Sequence, residues 1–542
     1  MKEKILQRHY NKGMKLTIKD KIIQHYEIIA LTILMAIGAF LRLFRVDYKG
    51  LWFDEIGQVA MASANSISNV IAGSNTHLAP PLDYIILHLF IKLGGSSDFV
   101  VRMPSVIWGI LAIPLLYYFA RYMFNKKVAF VATFLLTISP MHIWYSQEAR
   151  MYSLFMFLSL LSLTFFILAI EKKKTYFWIG FIISMVLNLY THYFAIFTLM
   201  TFMLLAFIYS KNKEYRSKSI LLSVMIAGTL FLPQWQTFID ITNGMTSVLS
   251  YGLPANLYLF FGEIFFIMAT WDYVGAIAFV VFCLIGMYAI YKYDNPNKLL
   301  LLVMWIGVPL ILSFMLTLTR GEMTTSRNMI FLLPVYLILV AIGIIALSEF
   351  IEQELISKIS SKAESIISSK RSLNIFSYMA MGIIVVTGFI EEKIKPNMYK
   401  GTVLVVLLMA VVAFSTTGMY SLYFIQNKGE RDTSEYLLEI TDKNDLIVIF
   451  GHTVSDVEYY YKGEADIVYI PKTYEAMQTL MSNSSTKNYT NVYVTYGVID
   501  SGMRRGLNNP LTMWLNNNCG EAINKLDEYP NKTATFRCIP EK

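Results

Sequence analysis

Charge is scarce in this sequence. Asp, Glu, Lys and Arg make up 15 % of the 542 residues, against about 25 % in an ordinary soluble domain, and the shortage excludes a soluble enzyme. Cysteine is rarer still: Cys283, Cys519 and Cys538 are the three in the chain. They lack zinc or redox-motif spacing, although Cys519 and Cys538 can pair if their segment faces an oxidising compartment. The C-terminal segment has no glycine-rich phosphate loop, so nucleotide binding has no support. No internal repeat is visible. Behind the basic amino terminus there is no small-residue cleavage site, and the first apolar run, Ile28 to Leu43, is expected to remain as an uncleaved span.

What is present in abundance is hydrocarbon. Hydrophobic residues are 55 % of the chain, and apolar runs of membrane-spanning length recur from Ile28 to Tyr423, ahead of a final segment of mixed composition. The net charge of +8, from 46 basic and 38 acidic residues, lies mostly in short loops, where it records orientation and not affinity for nucleic acid. Lys2 to Lys21 precede the first run; Arg121, Lys126 and Lys127, then Lys172 to Lys174, Lys211 to Lys218 and Lys292 to Lys298 follow later ones. By the positive-inside rule these are cytoplasmic, and the intervening turns are outside.

Two short runs test this parity. Leu82 to Leu93 would form a helix of about 18 Å, short of a hydrocarbon core of about 30 Å, so it is expected to be interfacial. Tyr378 to Ile390, flanked by basic residues, is expected to dip into the cytoplasmic interface within an insertion at 348–398. The expected fold is therefore a polytopic α-helical membrane module, residues 1–425, of about eleven spans with a first outer loop at 46–98. It delivers an extracytoplasmic α/β domain, residues 426–542, in which Leu446 to Phe450, Asp466 to Ile470 and Asn491 to Tyr496 read as strands. Sequons at Asn483, Asn488 and Asn531 are compatible with an outer location. The expected setting is the plasma membrane, crossed many times, with the amino terminus cytoplasmic.

Chemistry is sought where polar groups have no topological reason to be. In LWFDEIGQ (51–58), Asp54 and Glu55 form a carboxylate pair just outside the first span, suited to general-base work on an acceptor hydroxyl; the bland alternative is a pair capping a juxtamembrane helix. In HLAPPLDY (77–84), Pro80 and Pro81 hold His77 beside a rigid turn. In YSQEARMY (145–152), Glu148, Arg150 and Tyr152 lie at a membrane boundary, where ionisable residues are costly; a structural ion pair between Glu148 and Arg150 is the alternative. Arg320 and Arg327 in TRGEMTTSRNM sit outside against the positive-inside pattern, and guanidinium groups there suit phosphate; snorkelling is the alternative. Tyr190, His192 and Tyr193 could stack on a sugar or form an aromatic belt.

The ordered set of LWFDE, H-x-x-P-P, Arg102 ahead of an apolar run, SPMHIWYSQEARMY and LYTHYF resembles the GT-C superfamily of polyprenyl-phosphate-sugar-dependent glycosyltransferases. It is most similar to the branch of the protein O-mannosyltransferases and the lipid A aminoarabinose transferases. The resemblance covers 28–210 well and the remainder loosely. It implies Asp54 as catalytic base with Glu55 beside it, and an inward-facing second outer loop at Gln147 to Arg150. It implies a polyprenyl (undecaprenyl or dolichyl) monophosphate sugar as donor; the residues expected to hold it, read from the polar positions above, are Arg150, Arg327, Glu148, His77, Tyr152 and His192. The acceptor would be a hydroxyl of a protein, glycan or glycolipid. A divalent cation is left open. Where the aminoarabinose transferases carry an acidic and a basic residue before the proline turn, this chain has Leu78, Ala79 and Pro80. The alternative class is a non-catalytic transporter or flippase for a lipid-linked sugar, but transporters place ionisable groups near the midplane and often repeat their halves.

Overall fold

The structure, a computed structural model, describes residues 18–76, 79–209, 217–244, 257–320, 326–368, 401–424, 429–450, 457, 459–470, 474–482, 488–497, 510–520, 523–526 and 533–538. His77, the interfacial run 378–390 and the sequons at Asn483 and Asn531 lie outside them.

Among the described residues, eight helices are long and apolar enough to cross a membrane. A bent pair, Lys126–Thr137 and Pro140–Ser146, brings the number to nine if it crosses as one span, and the apolar helices Thr175–Leu189 and Ala195–Ile208 are shorter than a span, against the eleven or so expected. Their order matches the basic punctuation. Leu82–Gly94 is a helix of 13 residues, about 20 Å long, and packs with Phe53–Ala62 and Ile67–Thr76 into a layer at one end of the bundle. At the opposite end Glu27 meets Arg121 and Lys126, and Lys127 meets Glu349. Helix Asp98–Met123, 26 residues and about 39 Å, separates the two ends. Helix Leu333–Ser368 runs unbroken through the polar stretch expected to begin the cytoplasmic insertion, and the Gly401 amide returns to the Glu352 carboxylate at 2.9 Å.

Close packing and local capping fix the bundle. A Cβ at Gly286 would meet the Leu339 carbonyl, and one at Gly343 the Phe282 carbonyl, so these two glycines let helices Tyr273–Tyr293 and Leu333–Ser368 touch backbone to backbone. The bent pair turns by 57° at Pro140, where the last carbonyls of the first helix lose their partners. The fully buried Arg42 supplies donors to two of them, Leu136 at 3.2 Å and Thr137 at 3.3 Å. Gln147 then donates to the Arg42 and Phe44 carbonyls, which seats the segment carrying Glu148 and Arg150 against the end of the first span.

The C-terminal segment folds as a five-stranded sheet of β1 (Leu446–Phe450), β2 (Asp466–Ile470), β3 (Val492–Gly497), β4 (Asn524–Leu526) and β5 (Thr533–Cys538), in the order β2-β1-β3-β5-β4. β1 runs parallel to β2 and β3, whereas β5 runs antiparallel to β3 and β4. Side chains alternate along β1: Leu446 and Val448 join one core with Met477, Leu515 and Phe536, and Ile447 and Ile449 join a second with Leu437, Val457 and Tyr461. A strand apolar on both faces is the mark of a covered parallel sheet. Cys519 and Cys538 are disulfide-bonded across 19 residues, tying helix Pro510–Cys519 to β5. A loop of that length corresponds to about 3 kcal/mol of stabilisation. Reduction or Cys519→Ser is therefore expected to open the 510–542 region to limited proteolysis at protease levels that leave the oxidised protein intact.

Candidate active site

The end of the bundle opposite the Glu27 and Lys127 ion pairs gathers four chain segments that the sequence keeps far apart. Helix Phe53–Ala62 opens with Asp54 and Glu55 in its first turn, where carboxylates complement the helix dipole. Residues one apart on a helix point about 100° apart, and the two carboxylates accordingly face different partners.

Glu55 is fully buried and saturated. Arg102 grips it with a two-pronged contact, Nε to Oε1 at 2.9 Å and Nη2 to Oε2 at 2.7 Å. The Ala149 amide donates to Oε1 at 2.7 Å and the Trp52 amide to Oε2 at 3.2 Å. The last bond is the capping role the bland reading assigned to the pair, and Glu55 thus anchors the loop with no lone pair turned to the cleft. Arg102 spends its remaining donors on the carbonyls of Val46, Lys49 and Gly50 at 2.7 to 3.0 Å. Sequence reasoning gave Arg102 no role; its position in the second turn of an apolar helix, where a charge is costly, was the available signal.

Asp54, half-buried, turns toward the cleft and pairs with Arg327, Nη1 to Oδ2 at 2.9 Å. The Arg327 guanidinium also lies 5.7 Å from the Trp52 ring and 5.9 Å from the Tyr152 ring. Arg150 approaches from behind, donating to the Asp54 carbonyl at 3.2 Å and to Gln58 Oε1 at 3.0 Å, with its guanidinium 5.9 Å from the same Tyr152 ring. Gln58 passes its amide N–H to the buried Asp83, and burial pushes that carboxyl up to about 6. Tyr152, buried, is thus flanked by two guanidinium groups, an arrangement its ring face favours. Helix Leu82–Gly94 is held to the turn that follows Thr175–Leu189 by the Leu82 amide on the Tyr190 carbonyl at 2.9 Å.

Glu148 and Arg150 do not form the ion pair the sequence left open as the alternative. The Glu148 side chain is buried, accepts from the Trp144 indole N–H, and leaves Oε2 without a hydrogen-bond partner. Lys49 lies over the same indole at 4.5 Å. Burial, with the Glu55 carboxylate second, pushes Glu148 up to about 8; burial, with Arg102 second, pushes Lys49 down to about 8. His192 is also corrected: it is buried, stacked on Phe155 at 4.6 Å, and accepts from the Phe194 amide at 3.1 Å. The ring face sought for a sugar is occupied within the fold, and burial pushes the imidazole down to about 3, neutral at any working pH. Asp54 and Glu55 each already face a guanidinium, and among the described residues no three His, Cys, Asp or Glu side chains converge.

A family model described as dolichyl-phosphate-mannose-protein mannosyltransferase matches residues 79–237, which include Arg102, Glu148, Arg150, Tyr152 and His192 but neither Asp54 nor Arg327. No curated protein matches the sequence. Among solved structures, ArnT from Cupriavidus metallidurans in the apo state superposes with a TM-score of 0.56 at 12 % identity, over 93 % of this chain and 97 % of that one. The same protein bound to undecaprenyl phosphate gives 0.54, with the same identity and coverage. The chain has the GT-C fold. A second relative of this fold, the apo oligosaccharyltransferase of Archaeoglobus fulgidus, superposes with a TM-score of 0.51 at 13 % identity, over 86 % of this chain and 69 % of that one. The multi-pass helical bundle and the small C-terminal sheet of this chain are thus arranged as in a GT-C fold.

Two outcomes follow from the charges. Removing one member of a buried ion pair leaves the other uncompensated, at a cost of about 3–5 kcal/mol. Arg102→Met is expected to lower the thermal midpoint in detergent markedly, and Arg102→Met with Glu55→Gln to recover part of the loss. For Glu148, the folded protein keeps a proton between pH 4.5 and about 8 that the unfolded chain releases, so stability falls as pH rises through that window. Glu148→Gln should flatten the decline in melting temperature across it.

Proposed function

We propose that this protein is an inverting glycosyltransferase that moves a sugar from a polyprenyl monophosphate carrier to a hydroxyl acceptor on the outer face of the plasma membrane. The observation that carries the reading is the pairing of Asp54 with Arg327 at 2.9 Å across 273 residues of chain. It sets a part-exposed carboxylate against a guanidinium at the membrane surface, with Arg150 alongside. A general base and an anion clamp are what transfer from a lipid phosphate requires. The GT-C fold supports the same reading, since an ArnT of this fold carries undecaprenyl phosphate.

In the resting protein Arg327 neutralises Asp54. A carrier phosphate competes for that guanidinium, since a planar fork can span two phosphate oxygens, and its arrival releases the carboxylate to face the acceptor. The acceptor oxygen then attacks the anomeric carbon from the face opposite the phosphate. The bond from that carbon to the phosphate oxygen breaks, its electron pair leaves with the phosphate, and the hydroxyl proton passes to Asp54. Negative charge grows on the leaving phosphate, so Arg327 and Arg150 stabilise the transition state more than the bound donor. One displacement inverts the anomeric configuration, unlike the two-step route through a covalent intermediate. Glu55, saturated by Arg102, positions the loop; Tyr152 and His192 form the wall behind the clamp. Protein, glycan and glycolipid acceptors all meet the same base.

Orientation is part of the proposal. The cluster of Arg121, Lys126, Lys127 and Lys172 at the far end of the bundle supports a cytoplasmic location there, and the Cys519–Cys538 disulfide supports an outer, oxidising location for the C-terminal domain. An impermeant thiol reagent applied to intact cells is expected to label Ser63→Cys and not Lys173→Cys.

The decisive assay is turnover of a purified polyprenyl-phosphate sugar in detergent. A positioned base supplies about 10²–10⁴-fold, so Asp54→Asn should lose that factor while keeping donor binding, and Arg327→Lys should lose activity as well. Wild-type turnover by Asp54→Asn, or a product with the donor's own anomeric configuration, would overturn the reading.

A further inference from the structure

The loop that leads into Asp54 is held from two sides. Every carbonyl from Val46 to Gly50 accepts from an arginine: Arg102 of the membrane module takes those of Val46, Lys49 and Gly50. Arg431 of the C-terminal domain takes those of Asp47 at 3.1 Å and Tyr48 at 3.3 Å. The next backbone group, the Leu51 amide, donates to the Tyr460 hydroxyl at 2.5 Å, and that hydroxyl donates to Asp98 at 3.0 Å. Asp98 stands in the first turn of the helix that carries Arg102 and also receives Arg431 at 3.3 Å. The two arginines and the tyrosine therefore close one network around six consecutive residues, and the carboxylate of Asp54 emerges three residues beyond its last bond.

From this geometry we infer that the C-terminal domain completes the catalytic loop: Arg431 and Tyr460 are positioning residues that hold residues 46–51 in register, and through them Asp54, at the mouth. The inference rests on the reading of Asp54 as the base. Arg102 alone leaves the Asp47 and Tyr48 carbonyls and the Leu51 amide without these partners, so the loop can rotate about its Arg102 contacts. A displacement of about 1 Å at a reacting group costs up to about a hundredfold in rate. The domain then acts on the chemical step without touching substrate, and the donor phosphate, held by arginines outside this loop, binds as before.

Tyr460→Phe tests this by a split between kcat and KM. The expected result is a fall in kcat of about tenfold or more with the KM for the lipid donor within about twofold. Wild-type kcat, or a rise in donor KM that accounts for the whole loss, would overturn the inference. Asp54→Asn measured in parallel separates the two claims: if that variant keeps turnover the base assignment fails, and if it is inactive while Tyr460→Phe is normal only the positioning role fails. A second pair of substitutions addresses folding. A Cβ placed at Gly50 lies 3.2 Å from the Arg431 Cβ, within a few tenths of an ångström of disulfide geometry. Arg431→Cys should be slow, and Gly50→Cys with Arg431→Cys should regain kcat on oxidation, with wild type carried through the same treatment. Failure of that pair to cross-link, or cross-linking without recovery, would overturn the inference.

Discussion

The buried contact between Arg102 and Glu55 is the constraint on which the end of the bundle that carries Asp54 depends. Both side chains have left water, and the cost of desolvating them is offset only if every donor and lone pair finds a partner at good geometry. The structure meets that condition with the Ala149 and Trp52 amides on the carboxylate and three loop carbonyls on the guanidinium. Because these partners come from the loop ahead of Asp54, the segment at Gln147 to Arg150 and the helix Asp98–Met123, satisfying one charge pair fixes three segments relative to one another. Glu55 cannot point anywhere else, and the helix pitch then turns Asp54 to the cleft.

The cleft itself is crowded with positive charge. Arg327 and Arg150 approach the same short stretch of helix, and each lies 5.9 Å from the Tyr152 ring. Such like charges would repel without compensation, and here Asp54, Gln58 and aromatic faces absorb part of the field. The residual demand is for an anion. In the proposed function a lipid phosphate at the membrane surface would meet it, and its binding would redistribute the contacts of Arg327 so as to expose Asp54. Base and clamp would thereby be coupled through one guanidinium, deprotonation power becoming available when the leaving group is in place.

Buried titratable groups around this centre have a different character. Glu148 accepts from the Trp144 indole N–H and Lys49 lies over the same ring, each pushed toward neutrality by burial. Arg42 is buried without a carboxylate, yet it is met by the carbonyls that a broken helix leaves free. In both cases the low-dielectric surroundings that make an unpaired charge costly are used to hold the backbone bend that presents Gln147 to Arg150.

The amino-acid sequence by itself determined the partition of this chain between lipid and water. Apolar run length set against bilayer thickness is a local quantity; it left the pairing of Cys519 with Cys538 open, but a multi-span bundle, the short helix at 82–94 and three of the five strands were legible. So was the list of polar residues without a topological excuse, because a charge near hydrocarbon is conspicuous wherever it occurs. Tertiary structure alone decided what those residues do to one another. Nothing in Asp54-Glu55 says which carboxylate is anchored and which is free; that follows from Arg102, 47 positions away. Nothing in LYTHYF says that His192 is stacked inside the wall and not on a ligand. The short strands β4 and β5 carry too few apolar residues to be seen before β3 offers them an edge. Local patterns record the solvent each segment prefers, whereas the pairing of charges depends on which distant segments packing brings within about 3 Å, where desolvation leaves each buried group one acceptable partner.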